Sequence, residues 1–263
     1  MGRVLPALDQ STWAARRAAH EARVDAWIEP HLARRRRGEK HPVEDFLFTY
    51  YSYRPAQLRR WFPGGVLDDR RRPAAEWIRD LLAATASRPA HLGCFGLHEW
   101  AMVYRQTQEQ VRHNAWPLRL GAAGTDAVVE GARIRCSHFD AFRFYTEPAR
   151  PLNLLQPTRE AQHALEQPGC LHANMDLYKH AYKLAPLVPA ELVADCFELA
   201  RDIRTLDMQA SPYDLAPLGY EPVRIETPEG RARYVEAQRA FADRAAPLRA
   251  RLSAECERLL SGP

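Results

Sequence analysis

The sequence lacks several patterns by which common classes of protein are recognised. Its five cysteines are spread over 263 residues, their number is odd, and none forms a Cys-x-x-Cys pair. A disulfide framework and a structural zinc finger are therefore unexpected. No apolar run approaches the ~20 residues that span a bilayer, and the first residues, MGRVLPALDQSTWAARR, hold no apolar segment before a cleavage site. We expect a cytoplasmic protein with reduced cysteines, no secretory signal and no membrane partner.

Common catalytic signatures are missing as well. Neither a Gly-x-x-x-x-Gly-Lys-[Ser/Thr] loop nor a Gly-x-Gly-x-x-Gly turn occurs, which leaves a nucleotide cofactor on these motifs unsupported. No Gly-x-Ser-x-Gly elbow occurs. The residue four positions after His98 is Met102, so the two-histidine helix of the zinc proteases is absent.

Positive charge is the most visible feature of what is present. The chain carries 37 Lys and Arg against 33 Asp and Glu, a net charge of +4 and a pI near 8.9. Arginines cluster at 34–37, 58–61 and 70–72. Because arginine binds phosphate through two parallel hydrogen bonds, such clusters favour a phosphate-bearing partner. A soluble, arginine-rich surface without that role is the alternative.

The arrangement of apolar residues, prolines and caps predicts a mainly α-helical protein. Apolar residues at helical spacing and helix-starting Ser or Pro residues indicate N-terminal helices over 11–87 and C-terminal helices over 170–260. The segment 91–166 is mixed, and glycines with local alternation predict a small β insertion around 116–145. Its short strands are expected at 116–120, 127–130 and 132–138, followed by a helix over 158–166. No change in composition marks a boundary, so we expect one domain, 1–263.

Chemically reactive side chains concentrate in four segments beside glycine or proline. They are HLGCFGLHEW (91–100), RCSHFDAFRFYTEP (135–148), GCLHANMDLYKH (169–180) and RTLDMQASPYDL (204–215). Imidazole and carboxylate groups suit a first-row metal ion. The residues that would bind such an ion are His98, Glu99, His138, Asp140 and His172. On a strand, His138 and Asp140 would face the same way. These histidines can equally satisfy buried hydrogen bonds, and no metal is favoured at this stage.

The segment 169–180 predicts one face of a helix. His172, Asp176, Lys179 and His180 lie on adjoining positions of that face, with Lys183 following. Lysines beside the potential ligands favour an anion, such as phosphate, over a cation. Ion pairs on a solvated helix face are the alternative.

Long strings of the sequence resemble a known family. HPVEDFLFTYYSYRPAQLRRW, GCFGLHEWAMVYR, CSHFDAFRF, PGCLHANMDLYKHAYKL and LDMQASPYDL are similar to an actinobacterial family commonly described as 3-methyladenine DNA glycosylase. The similarity spans nearly the whole chain. It implies hydrolysis of the N-glycosidic bond of an alkylated base, and therefore DNA or another nucleobase-containing ligand as partner.

For this activity we assign expected roles to residues of the present sequence, because the resemblance itself supplies no catalytic residue set. An aspartate, Asp176 or Asp140, would stabilise the positive sugar or orient a water, and His172 or His138 would assist proton transfer. The residues expected to bind the substrate are Tyr50, Tyr51 and Trp100 for the base, Arg59 and Arg60 for phosphate, and Lys179. Two alternatives stay open: a non-haem metal-dependent enzyme that acts on a small molecule, and a binding module without catalysis. The oligomeric state and any cofactor are unknown from the sequence.

Overall fold

The protein is mainly α-helical in a computed structural model that describes residues 8–262. The fold class predicted from the sequence is confirmed, with 59% of residues helical. The α-helices are α1 (Gln10–Arg36), α2 (Phe46–Tyr50), α3 (Pro55–Arg59), α4 (Arg72–Ala86), α5 (Leu97–Ala101), α6 (Gly121–Glu130), α7 (Phe139–Phe142), α8 (Gln162–Leu165), α9 (Leu171–Leu184), α10 (Ala190–Gln209) and α11 (Pro228–Leu260). Short 3-10 helices lie at Glu147–Leu152 and Ala216–Leu218.

The chain forms two compact units, which we call unit 1 and unit 2. Unit 1 contains the described residues up to Ala83, Met175–Arg201 and the residues from Ala245 onward, and unit 2 contains Ala84–Asn174 and Asp202–Arg244. Among residues 8–262 no helix combines the length and the apolar character needed to cross a membrane. The prediction of one domain over 1–263 stays a prediction.

Unit 1 is built around an aromatic core. Tyr53 stacks on Tyr182 with ring centroids 4.9 Å apart, and Tyr51 meets Tyr178 edge to face at 5.4 Å. The α2 helix ends before Tyr51, whose backbone is extended, and this change of direction turns both Tyr51 and Tyr53 into the core. The aromatic run 46–53 is thus helical only in its first part.

The β insertion predicted around 116–145 is wrong. Residues 121–130 form α6, and in the part of the chain that is described the only β pairing consists of two isolated bridges, Leu118–Tyr213 and Ile134–Asn153. The segment around Cys136 finds no partner strand because the side chain of Asn153 replaces one. That amide accepts from the Cys136 N–H at 2.7 Å and donates to the Cys136 carbonyl at 2.9 Å.

Two other helix predictions were correct in kind but not in extent. The helix expected over 158–166 is only α8, because Gln162–Leu165 is flanked by turns. The N-terminal helix begins at Gln10 and is capped by Asp9, whose carboxylate accepts from the Thr12 N–H at 2.9 Å. A side-chain oxygen at this position satisfies one of the open N–H groups of the first turn.

Candidate metal centre

Three segments that are far apart in sequence meet inside unit 2. His98 of α5, His172 of α9 and Asp207 of α10 each offer one ligand atom, and these atoms all lie within 4.8 Å of one another. The rings of His98 and His172 meet edge to face with centroids 4.4 Å apart. His98 and Asp207 are buried and His172 is half-buried. We call this group the His98–His172–Asp207 cluster.

The position of His98 follows from the short, fully buried helix α5. Gly96 precedes the helix with φ +66°, a conformation that a side chain would strain. The indole Nε1 of Trp100 donates to the Ala210 carbonyl at 2.8 Å and so joins α5 to the residue that follows α10. Trp100 is completely buried, and its role in binding a base stays a prediction.

His172 lies in the first turn of α9, directly after a tight approach of two backbone segments. A Cβ atom at Gly169 would lie 2.6 Å from the carbonyl oxygen of His91, so only glycine fits there. The side-chain oxygen of Gln167 accepts from the N–H groups of His91 and Gly169, at 2.8 and 2.7 Å. Gln238 donates to the Gly169 carbonyl at 2.6 Å. These bonds fix the start of α9 and with it His172.

Asp207 is held in place by a buried arginine. Nη1 of Arg204, one turn earlier on α10, lies 2.8 Å from Oδ2 of Asp207 and 2.8 Å from Oε1 of Glu99. All three residues are buried. The arginine therefore binds one oxygen of Asp207, and the other oxygen, Oδ1, faces His98 at 2.8 Å from Nε2.

The facing atoms of His98 and Asp207 are close but poorly aligned. Neither Nε2 of His98 nor Oδ1 of Asp207 has a hydrogen bond of acceptable geometry to any residue in the described part of the chain. Buried polar atoms without such a bond are uncommon and call for an explanation. A ligand shared by both atoms, such as a cation, supplies one.

The electrostatics keep Asp207 ionised. Burial favours the neutral acid, but the charge of His98 and its contact with the carboxylate, with smaller contributions from His172 and Arg204, hold the pKa of Asp207 well below its usual range. For His98, burial disfavours the charged form, yet the Asp207 carboxylate outweighs burial and raises the pKa of His98. The carboxylate is a donor for a divalent first-row metal as it stands, and His98 becomes one when the metal displaces its proton.

The spacing of the three donors is close to what a metal ion requires. Ligand atoms bound at about 2.0–2.2 Å from one ion lie roughly 3–3.5 Å from each other. Since no two of the three atoms are more than 4.8 Å apart, metal binding asks for a closure of at most about 1.3–1.8 Å. Three protein ligands leave further coordination positions for water or substrate.

A small internal cavity adjoins the cluster. Its volume is about 20 Å³, enough for roughly one water molecule. Its walls are formed by Cys94, Leu97, His98, Ile134, Arg135, Cys136, Ser137, Tyr145, Gln167, Cys170, Leu171 and His172. Burial raises the pKa of the thiols of Cys94, Cys136 and Cys170, the last of them strongly, so the three are neutral near pH 7. No local pattern of the sequence indicates that three widely spaced cysteines share this wall.

A wider cleft of about 330 Å³ lies next to this cavity. The two share Arg135, Ser137 and Gln167 in their walls. The other lining residues of the cleft are Arg88, Pro89, Ala90, His91, Leu155, Ala164 and Leu165. A molecule in the cleft would therefore lie beside the cavity whose walls include His98 and His172.

His138 lies beside the cluster and has contacts of its own. Its ring stacks on His172 with centroids 5.3 Å apart. Nδ1 accepts from the Ala141 N–H and caps α7, while Nε2 lies 3.5 Å from Oε1 of the buried Glu166. Both ring nitrogens of His138 thus face protein groups, and its catalytic role stays a prediction.

Glu99 and Asp140 also lie outside the cluster. Glu99 binds Arg204 and lies 4.0 Å from Nε2 of His98. The residues from 139 onward are α7 rather than a strand, so Asp140 does not share a strand face with His138 and instead pairs with Arg143 at 3.1 Å. Of the five residues expected to bind a metal, the structure brings together two, and Asp207 is the third donor.

The remaining candidate residues are in unit 1. Asp176 is buried, accepts a hydrogen bond from the Tyr51 hydroxyl at 2.9 Å and pairs with Lys179. Burial, and next the Asp176 charge, raise the pKa of Tyr51 far above its usual value. Tyr50 stacks on Phe46 at 4.9 Å. Tyr51, Asp176 and Lys179 thus form a polar network. The substrate-binding roles of Tyr50, Tyr51 and Lys179 stay predictions.

The two arginines expected to hold phosphate differ in their surroundings. Arg59 forms ion pairs with Asp25 at 2.7 Å and with Glu21 at 3.4 Å. Arg60 is exposed. Arg59 is exposed too, so the two arginines differ in that only Arg59 has ion pairs within residues 8–262.

Asp207 is the candidate ligand that the sequence marked least clearly. It was visible only as one carboxylate of the segment 204–215, without a histidine beside it. Its place in the cluster follows from the position of α10, which no local pattern encodes.

No family model matches the chain, and no curated protein or solved structure matches it either.

Proposed function

We propose that the protein is a metal-dependent enzyme in which the His98–His172–Asp207 cluster binds one divalent first-row cation. The observation that carries the proposal is the convergence of two imidazoles and one ionised carboxylate from three distant segments, at a buried place. Arg204 acts as an outer partner that fixes the orientation of the Asp207 carboxylate.

The chemistry of the site follows from its ligand number. Three protein ligands leave positions for a water molecule or a substrate oxygen, and a bound cation lowers the pKa of such a water or polarises such an oxygen. The adjoining cavity, with room for about one water, is bounded by His98 and His172. We infer that the reacting small molecule occupies the wider cleft of unit 2.

A buried network without metal is the competing interpretation. A protonated His98 would then balance Asp207, and Arg204 would balance Glu99, so the four charges cancel. That interpretation leaves the poor alignment of His98 and Asp207 unexplained. Metal binding accounts for it, because both atoms would point at the ion rather than at each other.

The test is direct measurement of metal binding. Protein purified without chelator is analysed for bound elements, and apoprotein is then titrated with Zn²⁺, Co²⁺ and Mn²⁺. We expect one equivalent of metal, and a loss of affinity of more than about 100-fold in His98→Gln, His172→Gln and Asp207→Asn, because even an outer-shell change costs 10–100-fold. The half-buried His172 is the substitution that least disturbs folding.

The matched control is His113→Gln. His113 belongs to unit 2 and contacts Tyr213, but it is not part of the cluster. We expect it to bind metal like the unchanged protein. Wild-type affinity in all three cluster variants, each shown to be folded by circular dichroism, would exclude the proposed ligands.

Hydrolysis of an N-glycosidic bond stays a prediction from the sequence. This reaction would not require a metal ion, since its candidate groups are carboxylates and histidines that act on the substrate directly. Release of base from alkylated DNA in the presence of EDTA would favour it over the metal-dependent function.

A further inference from the structure

The wider cleft of unit 2 carries a cationic group that protein contacts leave available. Arg135 is exposed, lines both the cleft and the inner cavity, and has no hydrogen bond or ion pair to any residue between 8 and 262. Burial, and next the positive charge of Arg135, lower the pKa of His91 on the same wall. The guanidinium charge of Arg135 therefore acts on a titratable group that lines the cleft.

The second arginine of the cleft is different. Arg88 donates to the backbone carbonyls of Ala84, His163 and Glu166. These bonds use its guanidinium to hold the cleft wall together. Arg135 is left as the cation that can bind a ligand.

The rest of the lining selects the character of that ligand. No aspartate or glutamate is among the residues that line the cleft, so nothing there neutralises Arg135. Leu155, Ala164 and Leu165 add an apolar surface. A volume of about 330 Å³ is at the lower end of small-molecule sites.

We propose that Arg135 binds the carboxylate of a small organic acid whose apolar part lies against Leu155, Ala164 and Leu165. The guanidinium matches a carboxylate through two parallel hydrogen bonds. The proposal rests on the proposed function in one respect, since the acid would be the substrate of the metal site. The cleft and the small cavity have Arg135, Ser137 and Gln167 in common. A ligand in the cleft therefore lies beside the cavity next to His98 and His172.

Binding of butyrate, compared with its neutral isostere butyramide, tests the proposal. We expect the protein to bind butyrate about tenfold more tightly, the difference that one charge-assisted contact provides. Arg135→Ala should abolish this preference. Arg135→Lys should keep the charge and part of the affinity, because a lysine cannot form both hydrogen bonds.

The control is Arg133→Ala. Arg133 is exposed and carries the same charge two residues away, but it does not line the cleft. It should retain the preference for butyrate. Equal losses in Arg133→Ala and Arg135→Ala, or an unchanged preference in Arg135→Ala, would overturn the assignment. Binding of inorganic phosphate without binding of butyrate would also overturn it, because the anion would then not be an organic acid.

The two proposals fail separately. Butyrate binding is measured in EDTA and again with Zn²⁺ present, so the result for Arg135 does not depend on metal. Metal affinity of Arg135→Ala is expected to match wild type, since Arg135 is not a ligand. Absence of metal binding with intact butyrate selectivity would refute the metal function and leave the acid site standing.

Discussion

Arg204 is the residue on which the charge balance of unit 2 depends. It is almost completely buried and its Nη1 binds the carboxylates of Glu99 and Asp207. In Arg204→Met these two carboxylates lose their shared cation. Removing one partner of a buried ion pair costs about 3–5 kcal/mol. We expect a loss of this size in the free energy of unfolding, measured by urea denaturation in EDTA.

The matched comparison is Arg244→Met. Arg244 forms a similar pair with Asp202 at 2.7 Å, also within unit 2, but both side chains are largely exposed to solvent, at 48% and 34%. Exposed pairs contribute about 0–1 kcal/mol. A loss in Arg204→Met as small as that in Arg244→Met would show that the buried carboxylates find another way to be neutralised.

At the level of single residues, the sequence predicted which side chains are candidates for a site. It did not predict which of them come together in space. His98 and His172 stood out because each lies beside a glycine-containing turn and other polar groups. Their convergence with Asp207 depends on the packing of α5, α9 and α10, and no local spacing encodes it. The expected pairing of His138 with Asp140 assumed a strand, whereas the chain turns into α7 at that point.

Among the elements, α6 shows why a local pattern misled. The segment GAAGTDAVVE contains two glycines, which weaken a helix by up to about 1 kcal/mol each relative to alanine, and two adjacent valines that favour strands. The helix forms nevertheless, with the Thr125 hydroxyl donating to the Gly121 carbonyl at 2.7 Å. Thr125 and Val129 are buried, so tertiary packing outweighs the local preference.

The start of α11 depends on a glycine that permits close contact between two backbone segments. A Cβ atom at Gly230 would lie 1.9 Å from the carbonyl oxygen of Arg224 and 2.3 Å from its carbonyl carbon. Because the obstacle is backbone, the first turn of α11 must shift in Gly230→Ala. We expect the free energy of unfolding to fall by about 2 kcal/mol or more, measured by chemical denaturation.

Gly38→Ala serves as the control for this substitution. Gly38 follows α1 with φ +71°, and a Cβ atom there would meet nothing within 4 Å. Its cost is limited to backbone strain of about 1–2 kcal/mol. If Gly230→Ala were no more harmful than Gly38→Ala, the close approach to Arg224 would have to relax without cost.

For the whole molecule, composition predicted the net charge. It did not predict which basic side chains pair with acidic ones. The net charge of +4 and the arginine clusters favoured a phosphate partner. In the structure, Arg34 pairs with Glu44 and Asp45, Arg37 pairs with Glu39, and Arg59 pairs with Asp25. These three arginines of the basic runs thus have acidic partners in space, which sequence position alone does not reveal.

At the scale of the whole molecule, this pairing predicts weak binding to duplex DNA with little dependence on salt. With Arg34, Arg37 and Arg59 engaged by carboxylates, we expect the protein to neutralise no more than about two phosphates, so affinity for a duplex should fall less than about tenfold between 50 and 200 mM salt. Fluorescence anisotropy with a labelled duplex measures this. Arg59→Ala should change nothing, because Asp25 already neutralises Arg59, whereas Arg60→Ala, at an exposed neighbour, should remove any residual binding. A fall of about a thousandfold over the same range, which requires six or more phosphate contacts, would show that the ion pairs open on DNA and would favour the glycosylase prediction.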